Sequence, residues 1–363
     1  MLAAGFFASA CTGSPVVMTP VPAPPSSTSS DSPPPPRSFT LAAGGDILIH
    51  PALTDQAVAD GGGGRNFLPL FDGVRRAVDA DVSLCHLEVP LGKPEGPFFG
   101  YPSFLAPPEV ARGLKDLGYD SCSTASNHTL DRGPSAIQTT LDALDAVGLK
   151  HTGSFRTPEE AAAPLILDAG GVKVAQLSFT YGFNGIPLPQ PWMANQINVP
   201  KILADARAAR AAGAEVVVLS VQWGAEYQHE ATDEQKSLAR QILADPAVDL
   251  IIGTHVHVVQ PFENIGGKWV AYGLGNEVAR HSEPRGVTEE GAIARFKFVQ
   301  GPQGWKVETA EYVPTLVELG PPIRLVDLTR MPESPRRTEA IKRTEGVLLS
   351  MGAMGAGLTR GKP

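Results

Sequence analysis

From residue 215 to residue 257 the chain contains, in order, EVVVLSVQWG, DEQKSLARQILAD and DLIIGTHVH. A buried strand, a helix with helical apolar spacing and a second buried strand make one strand–helix–strand unit. The same alternation starts at residue 38. FTLAAGGD (39–46) reads as a strand ending in a Gly-Gly-Asp turn, LFDGVRRAVDA (70–80) has helical spacing, and DVSLCHLEV (81–89) is a strand. PPEVARGLKDLG (107–118) is a helix with proline at its start and glycine at its end. YDSCSTASNH (119–128) is strand then loop, and GPSAIQTTLDALDAVG (133–148) is again a helix closed by glycine. KVAQLSFTY (173–181) is a strand and ILADARAARAAGA (202–214) an Ala-rich helix. KWVAYGLGN (268–276), GAIARFKFV (291–299) and WKVETAEYVPTLV (305–317) read as antiparallel strands. A last helix is predicted over 335–349, and the Gly-rich tail from Met351 is expected to fray. Strands alternating with helices predict an α/β fold, with a mixed sheet towards the C-terminus.

The N-terminal segment is of another kind. Residues 14–37, SPVVMTPVPAPPSSTSSDSPPPPR, are almost entirely Pro, Ser, Thr and Val. Such a segment cannot bury enough apolar surface to offset its ordering entropy, so 12–38 is read as a disordered, partly polyproline-II tether. Ahead of it, MLAAGFFASAC (1–11) is short and apolar and ends in small residues before Cys11. Small residues, a cysteine and a long polar tether match a bacterial lipobox, with lipid carried on Cys11 after cleavage. No basic region precedes the apolar stretch, so the true start is expected upstream. The chain is expected outside the cytoplasm, lipid-anchored to the outer face of the cell membrane or secreted. No other segment has the roughly 20 apolar residues that span a bilayer. The formal charge is −8 and there is no Lys/Arg run. That excludes a nucleic-acid partner and gives no attraction to anionic headgroups. The globular domain is placed at 39–330, followed by a C-terminal helix and tail at 331–363.

Ligands in open α/β sheets bind beyond the carboxyl ends of the strands. The polar residues at those ends are few: Asp46 and His50, His86 and Glu88, Asn127, His128 and Asp131, Gln222 and Glu226, His255, His257 and Gln260, and Asn276. Five of the eight histidines fall in this set. His255 and His257, one residue apart on an expected strand end, should point the same way. Carboxylate, imidazole and amide oxygen together suit one or two divalent ions such as Mn, Zn or Fe. The absence of clustered cysteines argues against a closed structural zinc site. Individually, Asp46 could form a turn, Asn127 could cap a helix, and Asp131 fits a local cap or an orienting role better than a ligand role. Trp223 reads as core or cleft wall. Together, at the ends of successive strands, these residues point to a metal centre.

The order of these groups resembles that of the calcineurin-like metallophosphoesterases. GDILIH, HLEVPL, SNHTLDRG, QWGAEY, GTHVHVVQ and YGLGN, within residues 39–283, resemble more closely the CapA-type proteins of poly-gamma-glutamate capsule synthesis. The resemblance implies an α/β/β/α sandwich with mixed sheets and an enzyme or enzyme-like protein of envelope polymer metabolism. Asp46 would be the first ligand, Glu88 a carboxylate bridging two ions, and Asn127 an amide-oxygen ligand. His255 and His257 would complete the set, and His128 would be a general acid or anion stabiliser over the metals. Trp223, Glu226, Tyr227, Gln260 and Asn276 would line the substrate cleft. His50 stands four residues after Asp46, where the metallophosphatase motif has its histidine two after. The family has His where Gln222 stands and Asn where His86 stands. Either His86 supplies the lost imidazole or one metal site is weakened or absent.

The implied function is extracytoplasmic hydrolysis of a phosphoester or related bond by metal-activated hydroxide. The alternative is a non-catalytic subunit that binds an anionic envelope polymer or scaffolds a polymer synthase. Cys85 and Cys122 lie on strands expected to be neighbours. Buried free thiols are the commoner outcome, and a bridge requires that both faces and register agree.

Overall fold

The computed structural model describes residues 1–19, 36–281 and 285–362. Residues 1–19 carry neither helix nor strand, and most of the expected tether, 20–35, lies outside the described residues. Pro36–Pro363 form a unit of their own.

That unit opens with β1 (Ser38–Ile47), α1 (Pro51–Asp60), α2 (Leu68–Phe71), α3 (Arg75–Val78) and β2 (Val82–Leu87). It continues through α4 (Glu109–Leu117), β3 (Ser121–Ser123), α5 (Pro134–Ala146), β4 (Lys150–Thr152) and α6 (Pro158–Ala162). Next come β5 (Leu165–Ala169), β6 (Val172–Thr180), α7 (Val199–Ala211), β7 (Val216–Gln222), α8 (Asp233–Leu243) and β8 (Leu250–Thr254). The last part holds β9 (Phe262–Ile265), β10 (Lys268–Ala271), β11 (Asn276–Val278), β12 (Glu290–Gly301), β13 (Gly304–Glu318), β14 (Arg324–Asp327), α9 (Pro335–Leu348) and β15 (Leu358–Arg360).

Two mixed sheets result. One has the order β14-β13-β12-β1-β2-β3-β4, with β11 beside β1 and β15 beside β13; the other runs β5-β6-β7-β8-β10-β9. Side-chain alternation assigns the layers. Leu41, Val82 and Leu84 of the first sheet meet Val216, Val218, Leu250 and Ile252 of the second in one core. Ala42, Ile47, Cys85 and Leu87 face the other way, onto helices α1 to α5. Val217, Leu219 and Ile251 face α7 and α8. The chain is therefore an α/β/β/α sandwich whose central strands are buried on both faces. Each buried Val, Leu or Ile there contributes about 1.5–3 kcal/mol relative to exposure. Helix starts follow local chemistry: the Thr232 hydroxyl accepts from Gln235 N in a capping box at α8, and Asn198 and Ser334 cap α7 and α9.

Several expectations are corrected. The helix over 70–80 is two short turns, because the chain at Gly73 bridges to Val326 of β14. KWVAYGLGN is not one strand. Its first half pairs parallel with β8 and antiparallel with β9, and Asn276 starts β11 in the other sheet, so the segment crosses between the sheets. The tail past Met351 does not simply fray, since Leu358–Arg360 pair with Ala310–Tyr312 of β13. Cys85 and Cys122 are not free thiols. Parallel pairing of β2 and β3 sets them in register, and they form a disulfide with Cα atoms 4.4 Å apart.

Candidate metal centre

The carboxyl ends of β1, β2, β3, β7 and β8 converge. β1 reaches the centre through Gly44 and Gly45. A Cβ on Gly45 would lie 2.0 Å from the Gly275 carbonyl, and one on Gly44 would lie 2.0 Å from Glu277 Oε2. Only glycine lets β11 approach this closely, and Asp46 N then donates to Gly275 O (2.9 Å). In the adjacent strand His86 pairs with Asp46, and Glu88 follows the end of β2. Asp46, His86 and Glu88 are buried, and each offers a ligand atom within 4.8 Å of the other two.

The His255 main chain and the His257 side chain reach this group by a route other than strand alternation. β8 ends at Thr254, and both histidines have left-handed φ, 98° and 61°. Such backbone costs of order 1–3 kcal/mol per residue and persists only where its surroundings hold it. Here His255 N donates to Asp46 Oδ1 (3.0 Å), and His257 Nδ1 lies 3.2 Å from Asp46 Oδ2 and 3.0 Å from Asn276 Oδ1. His257 Nε2 is 3.8 Å from Glu88 Oε1, and His86 Nε2 is 4.0 Å from Asp46 Oδ1.

The electrostatics follow from burial and these contacts. Burial pushes His86 down to about 4 and His255 down to about 3, so both rings are neutral. Burial also opposes charge on His257, but Glu88 and Asp46 outweigh it and hold the ring at about 10. Asp46 stays below its usual range because the His257 hydrogen bond and charge overcome its burial, whereas burial drives Glu88 well up. Ser123 Oγ donates to Cys85 O (3.3 Å) and lies 2.8 Å from His86 Nδ1. Nδ1 is then the donor to Ser123, and Nε2 keeps its lone pair towards Asp46. Among the described residues His86 Nε2 and Glu88 Oε2 are buried without a hydrogen-bond partner, and Asp46 Oδ2 meets the His257 ring 3.2 Å away. Unpaired buried lone pairs are costly, and their gathering at two carboxylates and a neutral imidazole fits a divalent cation.

Asp131 takes the orienting role and stays out of this group. Its Oδ2 accepts from Phe104 N (2.7 Å) and from His128 Nδ1 (2.7 Å), which aims His128 Nε2 away from the carboxylate. The His128 ring packs edge-on against Phe104, and its main-chain N donates to Ser126 Oγ (2.8 Å).

Other residues are redistributed. Gln222 is not placed as a ligand: its Oε1 accepts from Asn127 N (2.7 Å) and Thr180 Oγ1 (2.6 Å), while its Nε2 donates to Asn127 Oδ1 (2.8 Å). Asn127 turns its Nδ2 to Asn184 Oδ1 (3.2 Å). His50 stands outside the carboxylate group, its Nδ1 next to Leu48 O (3.1 Å) and its ring 4.8 Å from that of His281. Trp223 is core, donating to Tyr272 O (2.8 Å). Gln260 is wholly buried and tied to Gln235 and the Gln228 carbonyl, so it cannot face a substrate. Asn276, also buried, holds His257 instead of lining a cleft. Glu226 and Tyr227 do line one, a cavity of about 1160 Å³ over His128 and His257.

Sequence reading missed Tyr101, Asn184, Arg280, His281 and Arg285 in that wall. The Arg285 guanidinium lies 3.9 Å from the Tyr227 ring centroid. The Asn-Gly pair at 184–185, just after a strand, was the available signal for Asn184; Tyr101 lies between β2 and α4, the other three follow β11, and none carries a motif. Cys11 is exposed with a free thiol. Among the described residues no helix is long and apolar enough to cross a membrane.

The family described as bacterial capsule synthesis protein PGA_cap matches residues 40–281. The capsule biosynthesis protein CapA of Bacillus anthracis is 26% identical over 193 residues, 52% of this chain and 46% of that protein. The PGA biosynthesis protein CapA of Bacillus subtilis is 28% identical over 204 residues, 54% of this chain and 51% of that protein. The chain thus spans about half the length of the curated relatives it matches. Among solved structures, a phosphatase from Mycoplasma pneumoniae aligns over 84% of this chain and 97% of its own, with TM-score 0.45 and 14% identity.

Proposed function

The chain belongs to the bacterial capsule synthesis protein family, and on that premise we propose that it is an extracytoplasmic, metal-dependent hydrolase of capsule, poly-gamma-glutamate or other envelope polymer synthesis. The observation that carries the reading is the buried group of Asp46, His86 and Glu88, in which His86 Nε2 and Glu88 Oε2 have no hydrogen-bond partner among the described residues. Those three residues, with His257 in reach of both carboxylates, would hold a divalent ion such as Mn, Zn or Fe. When bound, the ion supplies Lewis-acid chemistry, polarising a phosphoryl or carbonyl oxygen and acidifying water.

The chain's own residues do the rest. His128, fixed by Asp131, holds or delivers a proton through Nε2 at the leaving oxygen. Arg280 and Arg285 in the cavity wall attract an anionic polymer or phosphoester, and Tyr227 under Arg285 keeps that guanidinium in place. Lipid on Cys11 would anchor the protein at the outer membrane face through the 12–38 segment. The Cys85–Cys122 bridge supports an oxidising compartment.

Elemental analysis of protein purified without chelators, with bis(4-nitrophenyl) phosphate and poly-gamma-glutamate as trial substrates, tests the reading. Bound metal and turnover, both lost in Asp46→Asn, support it; protein free of transition metal overturns it. The hydrogen-bonded Gln222 amide favours a second reading, a polymer-binding or synthase-scaffolding subunit. Full metal occupancy without turnover, and polymer binding unchanged in His128→Ala, would select that second reading.

A further inference from the structure

We infer that the centre holds a single divalent ion, and that the Gln222 amide occupies the position a second ion would need. The inference rests on the metal-centre reading above and deepens it. A second ion in the arrangement that the family resemblance implies would be shared by Glu88 and Asn127 Oδ1. Gln222 Nε2 already stands between those two oxygens, 2.8 Å from Asn127 Oδ1 and 3.4 Å from Glu88 Oε1. Both contacts present amide hydrogens to oxygens that would otherwise face a cation.

The direction of this amide is fixed. Its Oε1 accepts from Asn127 N at 2.7 Å and Thr180 Oγ1 at 2.6 Å. Turned over, the –NH₂ would meet the Asn127 main-chain N–H, donor against donor. Gln222, Asn127 and Thr180 are all buried, so water cannot rescue the turned-over state. Asn127 is locked as well, since its Nδ2 is spent on Asn184 Oδ1.

Atoms without a hydrogen-bond partner among the described residues, His86 Nε2 and Glu88 Oε2, mark the other half of the centre, with Asp46 Oδ2 against the His257 ring. His86 in register with Asp46 gives that half an imidazole that does not depend on position 222. His255 Nδ1 is also partner-free but lies outside the group of converging ligand atoms. One imidazole without a free oxygen donor beside it is too few ligands for a second ion.

The test loads the full chain with excess Mn²⁺, removes free metal by gel filtration, and reads bound manganese per chain together with the electron paramagnetic resonance spectrum. The wild type is expected to retain one equivalent with the spectrum of an isolated ion. Gln222→His and Gln222→Glu, which remove the donor and add a ligand, are expected to retain two with exchange coupling. Two coupled ions in the wild type overturn the inference and leave the metal-centre reading standing. No retained metal in the wild type overturns both. A single ion in the wild type and in every folded variant overturns the role given to Gln222. Should Gln222→His fail to fold, the wild-type count and Gln222→Glu decide the matter.

Discussion

Glu277 follows the residue that holds His257, and its ionisation should set how stability depends on pH. It is fully buried; its Oε1 accepts from Tyr119 OH (2.7 Å), and its Oε2 has no partner among the described residues and lies against Gly44. Burial lifts the carboxyl to about 8 from an ordinary 4.5, against a smaller opposing effect of the Tyr119 hydrogen bond. The difference, 8 − 4.5 or about 3.5 pH units at roughly 1.4 kcal/mol each, amounts to about 5 kcal/mol. Because the folded value is the higher one, the folded state binds the extra proton between pH 4.5 and 8. Stability from this group is therefore fully present below pH 4.5, falls by about 1.4 kcal/mol per unit through the window, and is lost above 8. Glu277→Gln keeps an acceptor for Tyr119 and cannot ionise. Urea unfolding at intervals from pH 4.5 to 9 should show the variant gaining on the wild type as pH rises, by up to about 5 kcal/mol. Taking the difference between the two proteins cancels every other titrating group. Parallel curves, whatever their offset, would refute the reasoning.

Further outcomes are expected. If the chain hydrolyses bis(4-nitrophenyl) phosphate, His128→Ala should lower kcat by about a hundredfold or more. Asp131→Asn should displace the pH–rate profile with KM little changed, whereas a residue that only supports the fold would leave the profile's shape alone. Replacing Cys85 and Cys122 by serine opens a closed loop with a sequence separation of 37, which costs about 4 kcal/mol in unfolding free energy by chain entropy. Produced without lipid, the unreduced, unfolded wild type should also show only one alkylatable thiol, Cys11, by intact mass, and three thiols would contradict the bridge.

The layers and the inward group were legible because two signals coincide. Runs such as VVVLSVQ are mostly apolar, as central strands buried on both faces must be, and the carboxylates, imidazoles and amides of the site come at or just past the strand ends. That is enough to pick out Asp46, Glu88, Asn127 and the two histidines after β8. It does not supply register, which depends on how strands far apart in sequence slide against each other. Cys85 opposite Cys122 and His86 opposite Asp46 are facts of register, and no periodicity contains them. Backbone handedness was equally out of reach: His255 and His257 were expected on one strand face and instead turn inward through positive φ.

Position 222 shows the same division most sharply. The residue type alone says that an imidazole is missing. What replaces it depends on where the amide points, and donors distant in the chain decide that. Asn127 N and Thr180 Oγ1, 95 and 42 residues from Gln222, both take its oxygen. A side chain with one acceptor and two donors, given two donors to satisfy, has only its –NH₂ left to offer Glu88 and Asn127. The functional consequence at this position, one ion or two, is therefore set by the surrounding hydrogen bonds as much as by the residue itself. It follows that changing Thr180 should matter too. Thr180→Val removes one of the two hydrogen bonds that orient the amide, and manganese retention should then rise towards that of Gln222→Glu. Retention unchanged in Thr180→Val would mean that Asn127 N holds the amide alone.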